Sequence, residues 1–183
     1  MRSEPSSEVA VVVPVPVADR VVSGWRERFD ASAAHGLPAH ITVLYPFLSE
    51  VRLTDDVLKR LRELFAERSP IDVWFRRTAR FATTLYLEPD PADQLRDLTL
   101  AIVEQWPDTP PYGGDFDDVV PHLTVAHGAP NAVLDGIDVE LRHCLPLVTR
   151  LAEACVYVFA EERRGLRARL PFASAATATG TVR

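Results

Sequence analysis

The chain has 183 residues, 47% hydrophobic and 25% charged, enough for one sizeable core or two small lobes sharing one. Its 20 Lys and Arg against 26 Asp and Glu leave a formal charge of −6. That argues against an extended nucleic-acid surface, whose affinity comes from cationic side chains neutralising phosphates. No apolar run is long enough to span a bilayer, and the N-terminus lacks the apolar stretch of a signal peptide. Two cysteines, Cys144 and Cys155, form neither a disulfide framework nor a C-x-x-C pair. The expectation is a reduced, cytoplasmic monomer with no membrane partner.

Residues 1–8 and 174–183 are small or polar and read as loose tails around a single bilobal domain over 9–173. Val9–Val17 is β-branched and reads as a strand, and Pro14 and Pro16 suggest that its later part lies at an edge or cleft rim. Val21, Val22, Trp25 and Phe29 then fall at helical spacing over Asp19–Asp30. The turn His35-Gly36-Leu37-Pro38 leads into a strand at 40–45, which Pro46 ends. Thr54-Asp55-Asp56 opens a helix that Val57, Leu58, Leu61, Leu64 and Phe65 carry to about Arg68.

Ile71–Phe75 and Thr83–Leu87 read as paired strands joined by an arginine-bearing segment. Pro91-Ala92-Asp93 starts a helix with Leu95, Leu98, Ile102 and Trp106 on one face. Pro107–Asp118 is a long irregular loop that runs into a further strand beginning near His122. A helix over 131–143 and strands over 146–160 and 166–171, turning at 161–165, complete the chain. Element order therefore approximately repeats, which predicts an α+β fold of two lobes. Two antiparallel sheets related by a pseudo-two-fold axis would then face a central cleft.

At equivalent places in the repeat stand Ala39-His40-Ile41-Thr42-Val43-Leu44 and Pro121-His122-Leu123-Thr124-Val125-Ala126. Residues i and i+2 of a strand share a face, so each copy presents an imidazole beside a hydroxyl. One such histidine is easily explained as a cleft-wall residue, but packing gives no reason to place the same polar pair twice. Cleaving a phosphodiester needs a base for the attacking oxygen and an acid for the leaving one. Histidine, with an unperturbed pKa of about 6.5, serves as either. Thr42 and Thr124 could donate to the non-bridging phosphate oxygens.

Competing chemistries fit less well. The five histidines form no H-x-H or H-E-x-x-H arrangement, so no metal and no cofactor is expected. There is no G-x-S-x-G, and both cysteines lie in stretches that read as packed. Arg76, Arg77 and Arg80 form one basic cluster, and Arg163, Arg164, Arg167 and Arg169 another; each is either a local basic pocket or a solvated strand face.

Two H-x-T motifs on the strands of a duplicated α+β fold resemble the two-histidine (2H) phosphoesterase superfamily. The chain looks like its 2′-5′ RNA ligase-like branch over roughly 9–172. The resemblance is carried chiefly by Pro38-Ala39-His40-Ile41-Thr42-Val43-Leu44-Tyr45-Pro46-Phe47 and Pro121-His122-Leu123-Thr124-Val125. It implies a metal-independent phosphodiesterase acting on a 2′,3′-cyclic or 2′-5′-linked nucleotide or RNA end. His40 and His122 would be acid and base, and Thr42 and Thr124 the phosphate donors.

Several relatives carry Arg five residues after the second motif His, where this chain has His127; Tyr45 has the same offset in the first copy. An odd offset points both to the other face unless the strand bulges. Tyr45, His127 and Tyr112, the last in a Tyr112-Gly113-Gly114 lid, are candidate substrate-binding residues. Phe47 is either a rim aromatic or a core residue. Two alternatives remain open on the residues alone: a nucleotide or RNA-end binding module without turnover, and an esterase or lyase for a non-nucleotide phosphate.

Overall fold

The computed structural model describes residues 8–115, 118–159 and 165–174. The expected tails lie outside these except at Glu8, which begins the first strand, and Ser174; Arg163 and Arg164 also lie outside. The elements are β1 (Glu8–Pro14), α1 (Pro16–Phe29), α2 (Ala31–Ala34), β2 (His40–Leu44), α3 (Asp55–Ala66), β3 (Ile71–Arg80) and β4 (Thr84–Asp90). They continue with α4 (Asp93–Gln105), β5 (Leu123–His127), α5 (Asn131–Arg142), β6 (Leu147–Leu151), β7 (Glu153–Phe159) and β8 (Gly165–Pro171). Short 3-10 turns cover Glu50–Arg52 and Pro111–Gly114. No helix among the described residues is long and apolar enough to cross a membrane.

Two four-stranded antiparallel sheets make up the α+β fold, in orders β2-β1-β7-β8 and β5-β4-β3-β6. The two motif strands occupy equivalent edge positions. Helices α3 and α4 pack on the first sheet at β8 and β2, while α1 and α5 pack on the second at β5 and β3. The buried faces of both sheets share one apolar core, in which Phe65, Phe75, Ile41 and Leu123 are fully enclosed.

Several boundaries differ from the sequence reading. Pro14 ends β1 and Pro16 starts α1 three residues early, because proline's fixed φ suits the first helical turn, where its missing N–H costs nothing. β1 lies between β2 and β7, but its pairing with β7 stops at Val12, which lines a cavity, so its later part stands at a rim as expected. The Thr54 start holds: its side chain accepts from the Val57 N–H, and Asp55 and Asp56 sit in the positive first turn of α3. Residues 76–80, read as a connection, extend β3. A register shift between Phe75 and Thr78 lets Arg76 and Arg77 both face outward, where they pair with Asp90 and Glu88 of β4.

The largest correction concerns 146–160, read as one strand. It is broken at Ala152, and its halves enter different sheets: β6 pairs with β3, whereas β7 pairs with β1 and β8. The change of environment is visible in burial, since β6 alternates and β7 is buried almost throughout. The second sheet is therefore built from four consecutive strands, β3 to β6, whereas the first joins β1 and β2 to β7 and β8 from the other end of the chain.

Candidate active site

The edge strands β2 and β5 lie against each other where the two sheets meet. Each carries a β-bulge at the same motif position. In β2, Thr42 pairs with Val12 and Leu44 with Val11, leaving Val43 as the extra residue. In β5, Thr124 pairs with Tyr86 and Ala126 with Leu85, leaving Val125 extra. Val43 and Leu44, like Val125 and Ala126, are all buried in the core. The alternation therefore resumes one residue late, and the residue five beyond each histidine returns to the histidine face. Tyr45 thus joins His40 and Thr42, and His127, opposite Thr84, joins His122 and Thr124.

The two imidazoles are held alike. His40 Nδ1 lies 2.8 Å from the Pro38 carbonyl oxygen, and His122 Nδ1 lies 2.7 Å from that of Val120. A carbonyl only accepts, so Nδ1 carries the proton in both rings and Nε2 is left with the lone pair. Burial lowers the His40 pKa to about 4; the Pro38 carbonyl opposes this, and the charges of Arg26 and His122 add to it. Burial also lowers the His122 pKa, partly offset by the Val120 carbonyl. The charge of His122 bearing on His40 fits two rings that face the same junction.

Support for the first histidine comes from α1. Arg26, only 2% exposed, donates to Asp30 at 2.9 Å, to Ser32 Oγ at 3.0 Å and to the Leu37 carbonyl at 3.1 Å. Asp19 accepts the Ala39 N–H at 2.7 Å, which pins the residue next to His40. Around the second histidine, Phe81 and Tyr86 stack at 4.5 Å and present themselves to the His122 ring at 5.0 and 5.4 Å. Arg26, Asp19, Phe81 and Tyr86 were not singled out from sequence, because each acts on a histidine distant in the chain or on another element.

A cavity of about 360 Å³ opens beside His40. Ala10, Val12 and Leu37 line it with apolar surface, and His35, Tyr45 and Phe159 with rings. Phe159 meets His35 and Tyr45 edge-on at 5.9 and 6.1 Å. Tyr45 also donates its hydroxyl to Glu8, and burial followed by that carboxylate pushes its pKa up to about 12. His35 and Phe159 are further residues that the sequence reading left out of the site.

The remaining candidates fall in different places. His127 Nδ1 lies 2.7 Å from Thr84 Oγ1 at the exposed end of β5. Tyr112 donates its backbone N–H to the Tyr45 carbonyl at 2.9 Å, so the α4–β5 loop touches the end of β2, but Tyr112 does not line the cavity. Phe47 is a core residue, 3% exposed and packed edge-on against Trp106. Cys155 is buried, and burial raises its pKa to about 11; Cys144, read as packed, is exposed just after α5. Arg76, Arg77 and Arg80 are each ion-paired, as is Arg169, so they form solvated strand faces. Among the described residues no three His, Cys, Asp or Glu side chains come together as a metal-holding group.

Known proteins resemble this chain in sequence and in fold. The family model of the 2′-5′ RNA ligase superfamily matches residues 13–163. A curated Geobacillus kaustophilus protein that carries a phosphoesterase name is 29% identical over 126 residues, covering 67% of this chain and 69% of that protein. One from Bacillus licheniformis, similarly named, is 28% identical over 124 residues, covering 63% and 68%. Escherichia coli LigT, solved with 3′-AMP, superposes with a TM-score of 0.61 at 16% identity, covering 92% of this chain and 99% of LigT. TT0787 of Thermus thermophilus superposes with a TM-score of 0.59 at 16% identity, covering 90% and 97%. These structures establish the shared fold, and the family match over most of the chain establishes that it belongs to the 2′-5′ RNA ligase superfamily of phosphoesterase-type enzymes.

Proposed function

We propose that the protein cleaves or transesterifies a 2′,3′-cyclic or 2′-5′-linked nucleotide phosphodiester, with His40 and His122 as the acid–base pair and Thr42 and Thr124 as phosphate donors. The observation that carries this reading is the paired geometry. Two imidazoles, each fixed by an Nδ1 contact to the carbonyl two residues back, flank the junction of β2 and β5, each with a threonine on its own strand face. One neutral Nε2 takes the proton of the attacking hydroxyl or water. The other, protonated, gives its proton to the leaving oxygen. The threonine hydroxyls donate to the non-bridging oxygens as charge builds there. Burial lowers both pKa values, and the phosphodiester anion opposes this on entering and favours the protonated form that the acid needs. Escherichia coli LigT, of the same fold, has been solved with 3′-AMP, ATP and phosphate, which supports a small phosphate ester as the ligand class.

A panel of 2′,3′-cyclic and 2′-5′-linked nucleotides, assayed with and without EDTA, tests this. Turnover should survive the chelator and fall by roughly 10²–10⁴-fold in both His40→Ala and His122→Ala. Full activity in either variant overturns the assignment.

A further inference from the structure

Ala18, Val22 and Arg26 fall four residues apart along α1 and form its buried stripe, so a guanidinium stands where helical spacing calls for a core side chain. A buried cation is costly unless it is paired and its donors are satisfied. The donors of Arg26 run to one stretch of chain. Nε reaches Asp30 at the start of the 30–39 connection, Nη2 reaches Ser32 Oγ, and Nη1 reaches the Leu37 carbonyl near its end. Nη1 also comes within 4.0 Å of Asp19, whose carboxylate accepts the Ala39 N–H. Between Leu37 and Ala39 lies Pro38, whose carbonyl fixes the His40 ring through Nδ1. Asp30 in turn caps α2 by accepting the Ser32 N–H at 2.9 Å. One side chain of α1 thus ties down the connection that both walls the cavity and aims His40.

The charge matters as well as the bonds. The charged and titratable groups about His40 are Arg26, Asp30 and Asp19 of α1 and its end, His35 and Tyr45 around the cavity, and His122 across the junction. After burial and the Pro38 carbonyl, the Arg26 charge bears most on the ring and opposes a proton there, whereas Asp30 favours one. Beside His122 stand instead the rings of Phe81 and Tyr86. We infer that Arg26 is a positioning residue of this site: it aims His40 through the 30–39 connection and, by its charge, reserves that ring as the proton acceptor of the pair. This rests on the acid–base reading above and gives the pair a polarity. The attacking oxygen passes its proton to His40 Nε2 as it bonds to phosphorus. The bond from phosphorus to the leaving oxygen breaks, and that oxygen takes a proton from His122 Nε2.

The test takes pH profiles of kcat/KM on 2′,3′-cyclic AMP, with NMR titration of the histidines in the ligand-free protein, for the parent, Arg26→Gln, Arg26→Lys and Asp30→Asn. Arg26→Gln removes the cation, so the acid limb and the His40 titration should both move to higher pH. Asp30→Asn removes the opposing anion while keeping an oxygen for Ser32, so both should move to lower pH. A purely structural network would not give opposite signs. Arg26→Lys keeps the charge without the fork. It should leave the acid limb nearest the parent's and lower kcat on the order of 10²-fold with a smaller change in KM, the cost of a displaced reacting group. An acid limb that stays in place, or moves the same way in Arg26→Gln and Asp30→Asn, overturns the inference. Movement of the alkaline limb in its place does so too, since His40 would then be the donor, and an unchanged kcat in Arg26→Lys removes the aiming role. If Arg26→Gln does not fold, the sign of the Asp30→Asn shift decides. If the parent turns over no phosphodiester, the acid–base reading fails, and the opposite His40 shifts in the ligand-free protein decide the role of Arg26 separately.

Discussion

Thr99, on α4, donates its hydroxyl to the carbonyl of Val43 at 2.6 Å, and Val43 is the extra residue of the β2 bulge. Thr99 is only 1% exposed, so this is a buried polar contact between α4 and the carbonyl of an edge strand. The bulge is what returns Tyr45 to the His40 face. A hydroxyl from the helix before β5 thus holds the local distortion of β2. Thr99→Val keeps the shape and removes the donor. It should cost about 1–3 kcal/mol, the usual penalty for orphaning a buried acceptor, and lower the Tm by several degrees. Thr99→Ser should recover most of the loss in the same thermal melts.

His40 makes stability depend on pH. Its folded pKa of about 4 lies below the unfolded value near 6.5, so between these the unfolded chain binds more protons. The contribution is complete above about pH 6.5 and is lost as pH falls toward 4. Thermal melts across that interval should show a downward slope with acid that is shallower in His40→Gln. An unchanged slope in the variant would show that the ring is not held neutral by burial.

Arg26 lies beneath the first motif as a buried cation, bridging α1 to Asp30, Ser32 and Leu37. Arg26→Met should destabilise by about 3–5 kcal/mol, because Asp30 loses its partner in a buried setting. Its charge also lowers the His40 pKa, so the variant should shift the His40 titration upward in NMR. A downward shift would contradict the arrangement.

Thr42 and Thr124 stand beside their histidines on half-buried strand faces. Replacing either with Val preserves strand packing and removes one donor. The expected loss is on the order of 10²-fold in kcat with a smaller change in KM, as for donors aimed at developing charge. A pure KM effect in both variants would assign the threonines to ground-state binding alone.

The tetrapeptide His-x-Thr-Val determines much by itself. Period-two alternation places His40 with Thr42, and His122 with Thr124, on one face, since that depends only on neighbouring bonds. Amphipathic spacing and the Thr54 cap likewise mark α3 and α4 locally. What the neighbouring bonds do not contain is pairing between distant segments. The bulges at Val43 and Val125 exist because β1 and β4 offer one residue where the motif strands offer two, and they alone bring Tyr45 and His127 to the histidine face. The cavity beside His40 joins residues from β1, the α2 region, β2 and the end of β7, and β7 reaches that sheet only because the chain changes sheets at Ala152. Local periodicity specified the chemical groups; long-range hydrogen bonding and sheet exchange decided which of them meet.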